Sequence, residues 1–183
     1  LSTAALAQSI GLMNGYAPLT DYQRQTFNAS EEDPAGAKLL ATEERLQGRH
    51  YVTCDEWYLH KFADKIKGLG GGYAGVGTDQ AYLFLGWQRP HLAWLFDYDP
   101  WVVYIHHAYG VFFREAETIE QFLALWSKDN RKSSIALLKE KLADHPDRKI
   151  IITVFKHNRS TIDRRLSRVI RKLKNEGVSS YLS

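Results

Sequence analysis

The sequence predicts an α/β fold, a Rossmann-like three-layer domain with a mostly parallel sheet. Three observations point there. Short apolar runs bounded by Gly and Pro alternate with stretches of helical periodicity. A glycine turn joins the first clear strand to a helix, and an acid closes the next strand. Residues 150–155 (IIITVF) form a β-branched, nearly continuous apolar run, as a parallel strand buried on both faces does.

Composition sets the outer bounds. The chain has 183 residues, 44% hydrophobic and 25% charged, which suits one soluble globular domain rather than a disordered chain. Its net charge of +3 selects no partner by itself. The single cysteine, Cys54, excludes an intramolecular disulfide and a multi-cysteine zinc cage. That usage points to a reducing compartment such as the cytoplasm. Export remains an alternative, because Ala5 and Ala7 form an A-x-A pattern near the start. No apolar run reaches the roughly 20 residues that cross a bilayer.

Along the chain, helices are expected at 4–13, 37–46 and 55–66, with an acidic, turn-forming loop at 28–36 between the first two and Asp55 as the N-cap of the third. Residues 1–67 read as an N-terminal helical extension and 68–183 as the Rossmann-like cofactor-binding domain. Within the latter, the stretch Gly68-Leu69-Gly70-Gly71-Gly72 stops a helix, 73–76 is a strand, 78–87 a helix and 92–96 a strand. Helical spacing resumes after Pro100 (Val102, Ile105, Tyr109, Phe112), recurs at Ile119, Phe122, Leu123 and Trp126, and continues over 133–142. Ser160 opens a last helix with the stripe Ile162, Leu166, Val169, Ile170 and Leu173. Gly177 ends it, and 178–182 is a possible further strand.

The chemistry concentrates in 71–99. Glycine at 75 and 77 permits a tight turn and a close backbone approach, and the following helix offers free N–H groups at its positive end. Asp97 lies twenty residues past Gly77, where an acid can accept both hydroxyls of a ribose. Gln80 stands where the dinucleotide fingerprint has its third glycine, and no Gly-Lys-Ser/Thr phosphate loop occurs. A short glycine turn with a ribose acid suits S-adenosylmethionine, which needs no pyrophosphate cradle. The candidate cofactor-binding residues are Tyr73, Gly75, Val76, Gly77, Asp79, Gln80, Asp97 and Tyr98, with Tyr73 or Tyr98 flanking the adenosine. The competing reading makes the glycines packing residues and Asp97 a helix cap. Asp79 fits either a helix-end acid or a cleft residue.

The segment Tyr73-x-Gly75-Val76-Gly77-x-Asp79-Gln80-x-Tyr82, followed by Pro90-x-x-Ala93-x-x-x-Asp97 and a histidine at 106 or 107, resembles a little-characterised bacterial family. Its members read Y-x-G-V-G-P-D-Q-N-F and then R-P-x-x-A-F-x-x-D, and their fold is similar to class I S-adenosylmethionine-dependent methyltransferases. Asp55-Glu56-Trp57-Tyr58-Leu59 resembles the family's S-N-E-x-x-Y-L, with Glu56 as the matching acid, and 179–183 resembles a later S-Y-L-S/A segment. Thr78, Ala81 and Asp55 depart from the family's proline and asparagines. The resemblance implies an S-adenosylmethionine-binding transferase or a methyltransferase-like protein, and a sheet that continues past the end of this chain. It implies the cofactor more strongly than a reaction or a methyl acceptor.

Other groups carry weaker signals. His106 and His107 point to different sides of a helix, so they do not share a metal, and either is a candidate general base or an ordinary structural residue. His50, Cys54 and His60 are close in sequence but lack further ligands at metal spacing. From Arg159 to Lys174 seven basic residues face one acid, Asp163. Arg164, Arg165, Arg168 and Arg171 are therefore candidates to meet an anionic partner, nucleic acid or a membrane surface, and define the alternative function of a non-catalytic binding module. The same charges also suit a solvated helix face.

Overall fold

A computed structural model describes residues 19–29, 31 and 47–178. The expected helices at 4–13 and 37–46, the body of the 28–36 loop and the strand at 178–182 lie outside them, apart from Val178. The described chain runs α1 (Asp21–Asn28), a 3-10 turn (Leu59–Phe62), α2 (Ala63–Ile66), β1 (Gly72–Val76), α3 (Asp79–Gln88), β2 (Leu92–Phe96), α4 (Pro100–Glu115), α5 (Ile119–Trp126), α6 (Arg131–Lys141) and α7 (Arg148–Asn175).

The fold class departs from the expectation. Of the described residues, 62% are helical and 7% lie in strands, and the sheet has two parallel strands, β1 and β2. A three-layer Rossmann-like sheet is therefore not the architecture. The decisive residues are 150–155, which belong to α7 rather than to a strand. Their burial explains why. Ile151, Ile152, Val154 and Phe155 are buried, whereas Ile150, Thr153 and Lys156 are exposed. That rhythm of three and four is helical, with Thr153 marking the outer face. The apolar stripe thus starts at Ile151, and the last helix begins at Arg148, twelve residues before Ser160.

The core is an assembly of α4, α5, α6 and α7. Trp126, Phe112, Phe122, Phe155 and Tyr109 meet edge-to-face or tilted within it, and Phe113 stacks on Phe122 at 4.5 Å. Ile105, Leu138, Ile151 and Ile162 fill the space around them. A second, smaller cluster joins Leu59, Ala63, Leu83, Trp87 and Leu173, and so fastens α3 to the far end of α7. The expected helix at 55–66 is shorter than read. Asp55 lies outside it, and the first helical turn starts at Leu59 with no side-chain cap.

The unit from β1 to β2 matches its sequence closely. The strands pair in register from Gly72 with Leu92 to Val76 with Phe96, and α3 connects them. Tyr73 meets Phe84 of α3 across one sheet face. The opposite face presents Val76, Leu92, Trp94 and Phe96, all exposed, with Phe27 of α1 against Trp94 at 5.6 Å.

Candidate functional site

β1 ends at Val76, and Gly77 turns the chain with φ +84°, a conformation that side chains resist. At Gly75 a Cβ would lie 2.5 Å from the Tyr73 ring, which folds over the strand at that point and would have to move aside. Burial raises the Tyr73 phenol pKa. Gln80 reaches back from α3, and its amide donates to the Val76 carbonyl at 2.9 Å.

The N-terminus of α3 is already served by the protein. Thr78 donates its hydroxyl proton to the Val52 carbonyl. Buried Asp79 accepts from the Cys54 N–H at 2.6 Å and from Arg165 Nε at 2.7 Å. A carboxylate in the first turn of a helix is stabilised by the positive end of its dipole. Arg165 also donates to the Glu56 carbonyl at 2.8 Å, and its guanidinium stands near the Trp57 ring. Asp79 is thus a helix-end acid. Arg165 is buried and committed to it, and does not join the outward-facing arginines as the sequence suggested. Its phase gives this away, because Arg165 lies three residues after Ile162 and four before Val169, within the apolar stripe.

The C-terminal end of the strand pair is open. The paired register ends with Val76 opposite Phe96, and Gly77 and Asp97 are the residues that follow these two strand ends. Asp97 is half-buried, and its Oδ1 accepts from the Asp99 N–H at 2.9 Å. Tyr98 is 63% exposed next to it. Gly77, Asp97, Tyr98 and the exposed Val76 and Phe96 lie at or just beyond this end of the strand pair, a ledge with a carboxylate and aromatic rings. The helix cap is Asp99, not Asp97: its side chain accepts from the Trp101 N–H at 2.9 Å, with Pro100 at the first helical position.

Asp99 carries a second partner that sequence reasoning missed. His50 Nδ1 lies 2.9 and 3.0 Å from the two carboxylate oxygens. Its ring stacks on Trp101 at 3.9 Å, with the planes 1° from parallel. In the neutral tautomer that donates from Nδ1, the other nitrogen, Nε2, is the free basic position, as in His–Asp pairs that act as general bases. The Asp99-Pro100 pair is a helix-start signature, which marks Asp99. Nothing local marks His50, 49 residues away. Asp99→Ala removes the cap and the imidazole anchor together. The expected loss is about 1–2 kcal/mol, read as a shift of the urea midpoint, with Asp99→Asn recovering part of it.

The remaining candidates separate. His106 is largely buried, and its Nδ1 shares a hydrogen bond with the Tyr82 hydroxyl at 2.7 Å. Burial holds its pKa down to about 4, opposed in part by the adjacent Gly77 backbone. His107 meets the His145 ring at 4.5 Å rather than solvent, and burial lowers its pKa too. Of the trio considered for a metal, His50 goes to Asp99, the Cys54 backbone goes to Asp79, and His60 lies 3.8 Å from Glu176. Arg164, Arg168 and Arg171 are exposed on α7. Among the described residues, no helix is long and apolar enough to cross a membrane.

Residues 51–183 match the family described as Domain of unknown function (DUF7790), and the chain belongs to that family. No curated protein matches it.

Proposed function

We propose that this DUF7790 protein binds an adenosyl cofactor of the S-adenosylmethionine type on the ledge at the C-terminal ends of β1 and β2, as a methyltransferase or methyltransferase-like protein. The observation that carries this reading is the parallel pairing of β1 and β2, which ends with Val76 opposite Phe96 and leaves Gly77 and Asp97 as the residues following the two strand ends. Asp97 would accept from the ribose hydroxyls, exposed Tyr98 or Phe96 would flank the adenine, and the Gly75–Gly77 backbone would border the methionine end. Tyr73 covers Gly75 from the strand side, and Val76 and Gln80 shape the turn. Gln80, where the dinucleotide fingerprint has its third glycine, separates this guest from a dinucleotide.

A bound S-adenosylmethionine supplies an electrophilic methyl group. The chain's own contribution is orientation of the two reactants and a base. His50, held at Nδ1 by Asp99 two residues beyond Asp97, offers Nε2 to take the proton of an acceptor. Isothermal titration of the protein with S-adenosylmethionine, S-adenosylhomocysteine and NAD tests the reading. Heat with both adenosyl ligands and none with NAD supports it, and silence with both adenosyl ligands removes it. Asp97→Ala removes hydrogen bonds to a charged acceptor, and should weaken S-adenosylhomocysteine binding about 10- to 100-fold.

A second reading rests on a separate observation. Lys149, Lys156, Arg164, Arg168, Arg171 and Lys174 are all exposed along α7. Such a face fits an anionic partner, nucleic acid or a membrane surface, with or without the cofactor function.

A further inference from the structure

The outer face of α7 has features that choose between those anionic partners. At 100° per residue, the six exposed cations fall within an arc of about 120°. The acids of this region are engaged elsewhere: Asp163 lies 3.7 Å from Arg159, and Glu176 pairs with Lys172. Thr153, Ser160, Thr161 and Ser167 stand among the cations. No Phe, Tyr or Trp occurs between Lys156 and Lys174, and the His157 ring in that stretch sits against Trp101 at 5.5 Å. A stacking platform for single-stranded bases is therefore missing. Ile150, at the edge of the arc, is its one exposed large aliphatic side chain, where an interfacial membrane helix inserts a continuous row below the headgroups. Small hydroxyls and cations are the groups that contact a phosphodiester backbone.

The dimensions agree. From Lys149 to Lys174 the helix rises about 37 Å, close to one helical turn of B-form DNA at about 34–36 Å. Lys149, Lys156, Arg164 and Arg171 follow one another at about 10–12 Å, so the charge runs the length of the helix.

We infer that the outer arc of α7 binds the phosphate backbone of a nucleic-acid duplex without reading its sequence. The inference rests on the anionic-partner reading and narrows it to one class.

Fluorescence anisotropy with a labelled DNA duplex of about 20 base pairs, titrated between about 50 and 200 mM NaCl, tests it. A single strand of the same length and phosphatidylserine vesicles serve as parallel probes. The duplex should bind more tightly than the single strand, with a log–log salt slope near −5 if all six cations meet phosphates, at about −0.9 for each. The triple substitution Arg164→Gln, Arg168→Gln and Arg171→Gln should make that slope shallower by about 3 and weaken binding. Lys149→Gln with Lys156→Gln should remove about 2. Both variants alter exposed side chains, and an unchanged melting curve shows that the fold is retained. Vesicle binding without duplex binding overturns the duplex inference and leaves the anionic reading standing. Absence of binding to all three probes overturns both. A salt slope unchanged by either variant, or tighter binding of the single strand, also overturns the inference.

Discussion

Replacing Arg165 with Met should cost about 3–5 kcal/mol, the largest single-residue loss expected in this molecule outside the aromatic core. Arg165 and Asp79 are both nearly inaccessible to water, and their 2.7 Å contact joins α7 to the start of α3 across 86 residues of sequence. Met keeps most of the volume and removes the charge. Asp79 would then be a buried carboxylate with the Cys54 N–H as its remaining hydrogen-bond donor. The second guanidinium bond, to the Glu56 carbonyl, would be lost as well, freeing the 52–57 segment. Urea unfolding measures the effect. The double variant Arg165→Met with Asp79→Leu should recover much of the loss, because replacing both partners of a buried ion pair leaves no uncompensated charge. A single Arg165→Met variant within about 1 kcal/mol of the parent would show that the pair does not hold the two halves together.

The second large effect depends on pH. His106 has a folded pKa of about 4, below its usual 6.5, chiefly because it is buried. The folded chain therefore refuses a proton that the unfolded chain accepts below pH 6.5. The stability linked to this group is complete above pH 6.5, declines as pH falls, and is lost by about pH 4. Its size is about 3 kcal/mol. His107, also lowered by burial, acts in the same direction. His106→Gln keeps an acceptor for the Tyr82 hydroxyl and does not titrate. Its urea midpoint should fall less than the parent's between pH 7 and pH 4.5, and equal slopes would remove His106 as the cause.

Legibility in this sequence follows the range of the interactions. The stretch from Gly72 to Trp101 could be read because its determinants are local. Gly77 is required by its own φ, Pro90 and Pro100 punctuate the elements, and β1, α3 and β2 appear within a residue of where the pattern puts them. The misreading at 150–155 came from composition outweighing period. Three isoleucines, a valine and a phenylalanine look like a strand, yet Thr153 lies in phase with Ile150 and Lys156 and marks a helix. With that segment in α7, two strands remain among the described residues, and the three-layer sheet goes with it. The His50–Asp99 pair and the Arg165–Asp79 pair span 49 and 86 residues. Such partners are set by how the helices pack, and no spacing rule reaches that far. Arg159 is a similar case: it is buried four residues after Phe155, and donates to the Trp126 carbonyl at 2.7 Å. In both buried arginines the phase of the stripe was visible and the charge disguised it.

The exposed ledge and the exposed sheet face are physically linked. Parallel strands are ordinarily covered on both sides, whereas here Val76, Leu92, Trp94 and Phe96 share a face that is exposed among the described residues, with Phe27 of α1 against Trp94. Val76 and Phe96 are the last residues of that face and also border Gly77 and Asp97. A ligand on the ledge would therefore cover apolar surface that is otherwise bare, adding burial to the hydrogen bonds from Asp97.

Amide chemical shifts of the labelled protein during titration with S-adenosylhomocysteine test the central claim most directly. The expected result is saturable movement of the Gly75, Gly77, Asp97 and Tyr98 amides, with the α5 and α6 amides unmoved and the response abolished by Asp97→Ala. Saturable shifts confined to other parts of the chain, or none up to millimolar ligand, would contradict it.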